Sequence, residues 1–173
     1  MSKIYVDSIA SKTGAADALT IDSSGRILRS VIPSVFAQGG SATTITINNS
    51  DRLGATADGT SAFVTDGTSG SHIEGGIEYN SSTGEFTVPV TGLYAYYGQY
   101  YCSSANATAR IGVYINNTQR TLGHDGYLSG TVQVSGIIKL SAGDKLDFRQ
   151  VSGGDLSVYQ GPNHTYAYIY LIG

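Results

Sequence analysis

The stretch Tyr79-Asn80-Ser81-Ser82-Thr83-Gly84-Glu85-Phe86-Thr87-Val88-Pro89-Val90-Thr91-Gly92-Leu93-Tyr94 decides the fold. It opens on a short strand, Ile77 to Tyr79. Asn80 to Gly84 is a turn cluster of residues that bond their own backbone or tolerate positive φ. Glu85 to Val88 resumes an extended segment, with Phe86 directed to the core. Pro89 has no N–H to give to a ladder and ends the pairing. Gly92 then turns the chain into Leu93–Tyr101, a long aromatic strand. Its period of two puts Tyr94, Tyr96 and Tyr100, with Gly98, on one face. Leu93, Ala95, Tyr97, Gln99 and Tyr101 fall on the other.

The same period runs outward from this strand. Thr43 to Ile47 alternates Thr and Ile. Ala109 to Ile115 aligns Ile111, Val113 and Ile115, and Asn116-Asn117 makes the next turn. Thr131 to Leu140 is another strand, closed by Ser141-Ala142-Gly143-Asp144. Leu146 and Phe148 share a face, and the chain ends on Tyr166-Ala167-Tyr168-Ile169-Tyr170-Leu171. No window carries the helical spacing over three turns. Turn signals about every ten residues predict eight to ten antiparallel strands in two sheets.

Composition agrees. Of 173 residues, 23 are Gly, 21 Ser, 17 Thr and 13 Tyr, with no Trp and 13% charged residues. That charge share is about half the usual ~25%, and the A/E/K/L/R content is far too low for a coiled coil or long-helix protein. A net charge of −3 leaves no electrostatic footprint for nucleic acid, so no nucleic-acid partner is expected. No apolar run approaches the ~20 residues of a membrane helix, and no membrane insertion is expected. The opening Met1-Ser2-Lys3-Ile4-Tyr5 is no secretory signal, so synthesis in a cytoplasm is expected. The lone Cys102 reads as a small buried hydrophobe.

The segment from Tyr79 to Tyr94 resembles the hallmark of C1q-like domains: an Asn, a Thr-Gly, then Phe-Thr-x-Pro-x-x-Gly-x-Tyr before an aromatic strand. Val134 to Leu146 resembles the family's strand, Leu-x-x-Gly-Asp, strand element. The closing strand departs from it, with Tyr166-x-Tyr168 where the family has Phe-x-Gly. The resemblance covers about Ser34 to Gly173. It implies an all-β, ten-stranded antiparallel jelly-roll sandwich of the C1q/tumour-necrosis-factor type, assembled as a homotrimer. It places one sheet on the threefold axis, making Tyr94, Tyr96, Tyr97, Tyr101, Tyr166, Tyr168 and Tyr170 trimer-interface candidates. The competing reading is that these tyrosines fill the monomer core.

The first thirty residues are different. They carry 4 basic and 3 acidic groups, against 6 and 10 in the rest. Their short apolar patches cannot build a core alone. The division is a short extended arm over 1–32 and a jelly-roll domain over 33–173. Ser2 to Ile9 with Gly14 and Leu19-Thr20-Ile21-Asp22 resembles the openings of tail-associated structural proteins of marine phages, including cyanophages. That resemblance implies that Ile4, Tyr5, Val6, Ile9, Leu19 and Ile21 dock on another virion protein of the tail or baseplate.

No catalytic constellation emerges. His124-Asp125 lies in a Gly-flanked loop without a nucleophile elbow. His72 with Glu74 falls short of a metal site, and the repeated Asp-Gly-Thr-Ser at 58–61 and 66–69 lacks the ligand density of a calcium loop. The reading assigns no enzyme activity, no metal and no cofactor. Binding remains, carried by loops. The candidates for a host-surface glycan or protein are Asn117, Gln119, Arg120, His124, Asp125, Tyr127, Tyr159, Gln160, Asn163 and His164: aromatic rings for a sugar face, amides for its hydroxyls. The functional expectation is a structural virion protein of a tailed phage, a trimeric short tail fibre or fibre tip with a receptor-facing domain. The alternatives are a head decoration or head-fibre protein of the same fold, and a non-viral C1q-like lectin or adhesin.

Overall fold

The computed structural model describes residues 8–10, 17–21, 23–24, 27–29, 32–40, 43–67, 70–105, 109–123, 130–151 and 155–173. The chain divides into two compact units, Met1–Ile32 and Pro33–Gly173.

The first unit holds a three-stranded antiparallel sheet, β1 (Ser8–Ala10), β2 (Asp17–Ile21) and β3 (Ile27–Arg29), in that order. The register sets Ile9 opposite Leu19, Leu19 opposite Arg29, and Ile21 opposite Ile27. Of the docking candidates, Ile9, Leu19 and Ile21 lie in this sheet, while Ile4, Tyr5 and Val6 lie outside the described residues.

The second unit is a β-sandwich. Its strands are β4 (Ser34–Gly39), β5 (Thr44–Ile47), β6 (Phe63–Val64), β7 (His72–Glu74), β8 (Glu78–Asn80), β9 (Glu85–Thr87), β10 (Gly92–Ala105), β11 (Ile111–Ile115), β12 (Thr118–Leu122), β13 (Gly130–Leu140), β14 (Lys145–Gln150), β15 (Leu156–Tyr159) and β16 (Tyr166–Leu171). One sheet has eight strands. β10 is its spine, paired by β13 along one edge and by β16 then β15 along the other. β16 leads on to β4, which β7 and β6 pair in tandem. The second sheet runs β12-β11-β14-β9-β8. All pairs are antiparallel. Among the described residues thirteen segments stand where ten strands were expected, because long strands are flanked by two short ones end to end.

The deciding stretch behaves as its residues dictate. Asn80 Oδ1 accepts the Ser82 and Thr83 N–H groups at 2.9 and 3.2 Å, making the turn. Gly84 has φ +67°, and a Cβ there would stand 2.7 Å from the Leu53 carbonyl oxygen, so only glycine fits. Phe86 is fully buried. The Pro33–Gly173 core joins both inner faces and includes Tyr94, Tyr100, Phe148, Ile111, Val113, Leu146, Ile169 and Cys102.

The inward tyrosines all reach polar partners, two of them on the second sheet. Tyr100 Oη donates to Gln150 Oε1 at 2.5 Å, Tyr96 Oη to Thr121 Oγ1 at 2.9 Å and Tyr94 Oη to the Val90 carbonyl at 2.9 Å. A buried hydroxyl without such a partner would be costly. This corrects the sequence reading at two positions. Tyr94 and Tyr96 are 0% and 5% exposed in the single chain, so they belong to the monomer core and offer no area to a partner.

Candidate functional site

The outward face of the eight-stranded sheet collects the remaining aromatic rings. In Tyr166-Ala167-Tyr168-Ile169-Tyr170, the pleat buries Ala167 and Ile169 and turns all three tyrosines out. The register then builds rows across four strands. Ser34, Tyr170, Ala95 and Ile137 form one; Phe36, Tyr168, Tyr97 and Ser135 the next; Gln38, Tyr166, Gln99 and Gln133 the third. The face therefore grades from apolar to amide-rich. Phe36 stacks on Tyr168 with centroids 4.3 Å apart and planes at 7°, and Tyr97 stacks on Tyr166 at 5.6 Å and 14°. A groove of about 700 Å³ runs between Ala95, Tyr97, Ile137, Tyr168 and Tyr170.

Polar atoms in the third row are tied to one another. Tyr166 Oη donates to Gln99 Oε1 at 2.9 Å, and the Tyr97 hydroxyl lies 2.6 Å from the same oxygen and 2.7 Å from Gln133 Oε1. Desolvation, then the Tyr166 hydroxyl, pushes the Tyr97 phenol well above its ordinary range. The Tyr97 hydroxyl thus stays neutral and able to donate.

Large apolar groups at the apolar end stay open: Leu93 44%, Ile137 64%, Tyr168 38%, Tyr170 47% and Ile172 47% exposed. Together they present on the order of 500 Å² of surface, the size of the largest apolar patch on an ordinary monomer, a patch that is often functional. Of the trimer candidates, Tyr97, Tyr101, Tyr166, Tyr168 and Tyr170 lie on this outward side. Phe36, Ile137, Gln99 and Gln133 were missed. Val35-Phe36-Ala37 and Gly136-Ile137-Ile138 are apolar on both faces and give no alternation to read.

The loop candidates scatter. Tyr159, Tyr101 and His164 form an edge-to-face cluster, with His164 5.4 Å from Tyr101 and 4.6 Å from Tyr159. Asn163 is exposed beside it. Gln160 is a correction: it is 1% exposed, and its Oε1 accepts the Ser61 N–H at 2.7 Å, so it holds two loops together and cannot meet a receptor. Gln119 Oε1 accepts the Tyr114 hydroxyl at 3.0 Å, and Arg120 is exposed on β12. His124, Asp125 and Tyr127 lie outside the described residues.

Asn117 belongs to a charged lock on the five-stranded sheet. Its Oδ1 accepts Arg52 Nη2 at 3.0 Å and Arg149 Nη2 at 2.7 Å. Arg149 grips the fully buried Asp147 with two hydrogen bonds, at 2.5 and 2.7 Å, and its guanidinium lies 4.1 Å over the Tyr114 ring. Arg52 Nε stands 3.6 Å from Asp147 Oδ2. The Asp147 hydrogen bonds raise Arg149, while burial pushes the Asp147 carboxyl up against the pull of both arginines. Nearby, burial works to raise Glu85, but hydrogen bonds from Lys145 and Thr83 outweigh it and hold the carboxyl below its usual range. Asp58 of the first Asp-Gly-Thr-Ser copy accepts the Arg52 N–H at 3.0 Å, a loop-closing role.

No family model and no curated protein matches the chain. Solved structures do, in 263 chains. One is the structure of Eiger TNF from S. frugiperda, with a TM-score of 0.66 at 14% identity, covering 84% of this chain and 94% of that one. With the two antiparallel sheets described above, this defines the fold as a jelly-roll sandwich of the C1q/TNF type. At that identity the likeness speaks for the fold alone.

Proposed function

We propose that the chain is a non-enzymatic structural protein of a tailed-phage virion, a trimeric short tail fibre or fibre tip. Residues 1–32 anchor it to a tail or baseplate protein, and residues 33–173 present a C1q/TNF-type domain to the host surface. The observation that carries assembly is the outward aromatic face: Phe36, Tyr97, Tyr166, Tyr168, Tyr170 and Ile137 are gathered on one sheet and only partly covered in the single chain. Tyrosine suits such a surface, giving apolar area with a hydroxyl that stays satisfied at a partly wet interface. The anchor rests on the resemblance of the first thirty residues to phage tail proteins.

The test is the protein content of purified particles, followed by localisation of the chain in a cryo-EM map. Density at the tail supports the reading. Density on the capsid moves the chain to the head-fibre alternative, and absence from particles overturns the virion role.

A further inference from the structure

None of the three rows on the outward face, across β4, β16, β10 and β13, contains a charged residue. The five-stranded sheet instead carries Glu78, Glu85, Lys145, Asp147 and Arg149. Two of the outward rows are aromatic, aliphatic or small. The third is Gln38, Tyr166, Gln99 and Gln133, three amides and a phenol.

This amide row is not complete within one chain. Gln99, 9% exposed, accepts the Tyr166 hydroxyl on Oε1 at 2.9 Å. The Tyr97 hydroxyl lies 2.6 Å from the same oxygen and 2.7 Å from Gln133 Oε1. Its single proton can serve one of the two. Gln133 is exposed, and its amide nitrogen has no partner among the described residues. Two N–H donors of Gln133, one amide oxygen and the lone pairs of both phenols are thus left for a partner outside the chain. Water meets them in a single chain, but under a covering surface they need protein partners.

The covering surface has to offer donors and acceptors together, and no charge. Another copy of the same row does both. A charged partner would find a neutral amide and no counter-ion.

We infer that the row Gln133–Gln99–Tyr166, with Tyr97, sets the register of self-association, the Gln133 amide of one copy bonding the phenol and amide oxygens of the next. The aromatic rows supply area, but apolar attraction has no direction and tolerates sliding. A slipped contact would set the amides against Phe36, Tyr168 or Ile137 and leave them unpaired, which is costly. In coiled coils a single polar core position fixes register and copy number by the same physics, at some cost in stability. The inference rests on the trimer reading, and its test separates the two.

The experiment is native mass spectrometry of the full chain at micromolar concentration, with circular dichroism to show that each variant is folded. The parent is expected as one trimeric mass. Gln99→Leu with Gln133→Leu loses that single mass and gives several oligomers. Gln133→Glu, close to isosteric, sets like charges at the contact and gives a monomer at pH 8. Ser82→Glu adds the same charge on the exposed turn between β8 and β9 and leaves the trimer intact. If the parent is a trimer and either the Leu pair or Gln133→Glu remains a single trimer, the layer is overturned and the assembly reading stands. Dissociation by Ser82→Glu as well would trace the effect to net charge and overturn the layer too. A monomeric parent overturns both.

Discussion

The ring of Phe148 of β14 fills the space where any larger residue at Gly98 of β10 would carry its Cβ. The two residues come from opposite sheets, and Phe148 is fully buried. The aromatic strand therefore interrupts its inward run of tyrosines at the one point where the other sheet inserts a ring. Gly98→Ala forces an overpacked interior and is expected to cost about 1–3 kcal/mol. Phe148→Ala leaves a cavity and is expected to cost about 3–5 kcal/mol. Urea denaturation of the two single variants and the double variant measures both. Because the residues touch, the double variant should fall short of the sum.

Asp147 is the buried centre of a charge cluster built from positions far apart in the chain. Asp147→Asn leaves Arg149 and Arg52 facing a neutral amide, and an uncompensated partly buried charge is expected to cost about 3–5 kcal/mol. An unchanged urea midpoint would show that the arginines re-pair without loss.

Burial pushes the Tyr79 hydroxyl up to about 12 from 10.0, with the Phe63 N–H only partly opposing. A folded-state value above the unfolded one means the stabilisation is whole below pH 10 and is lost as pH rises towards 12. Tyr94, Tyr97 and Tyr100 shift in the same direction for the same cause, so the losses accumulate. Urea midpoints taken between pH 9 and pH 12 should fall steadily above pH 10. A flat profile would contradict the burial of these hydroxyls.

Light scattering is expected to give a mass about three times 18.1 kDa at micromolar concentration. Tyr168→Asp with Tyr170→Asp places two charges on the exposed aromatic face and is expected to return the mass to that of one chain, still folded. A wild-type monomer would sink the assembly reading. A trimer indifferent to these substitutions would move the interface elsewhere.

Deletion of residues 2–30 is expected to leave the sandwich trimeric and folded while abolishing incorporation into virions. Mass spectrometry of particles carrying the truncated chain reads this directly, and retained incorporation would refute the anchor.

Much of the fold was legible in advance because period-two patterning and turn chemistry are local. Leu93–Tyr101 shows its two faces in its own letters, and the structure buries the Tyr94 side and turns the Tyr97 side out. The site was less legible. Phe36 and Ile137 sit in runs apolar on both faces, so nothing local says which way they point. Gln160 looked like an amide for a ligand, yet its partner is the Ser61 backbone, 99 positions away.

The sequence by itself determined the all-β class, the place of the turns and the identity of the long central strand. Each of these follows from backbone preferences within a few residues: Gly84 at positive φ, Pro89 without a donor, Tyr alternating with small or aliphatic residues. Only the tertiary structure decided which tyrosines are core and which are surface. That choice depends on which face of β10 meets the second sheet, and Phe148, fifty positions from Gly98, takes part in making it. The pairing of charges was settled at the same level. Coulomb attraction acts through space, so Arg52 could find Asp147 only once the chain had laid Arg52 beside β14, 95 positions further on.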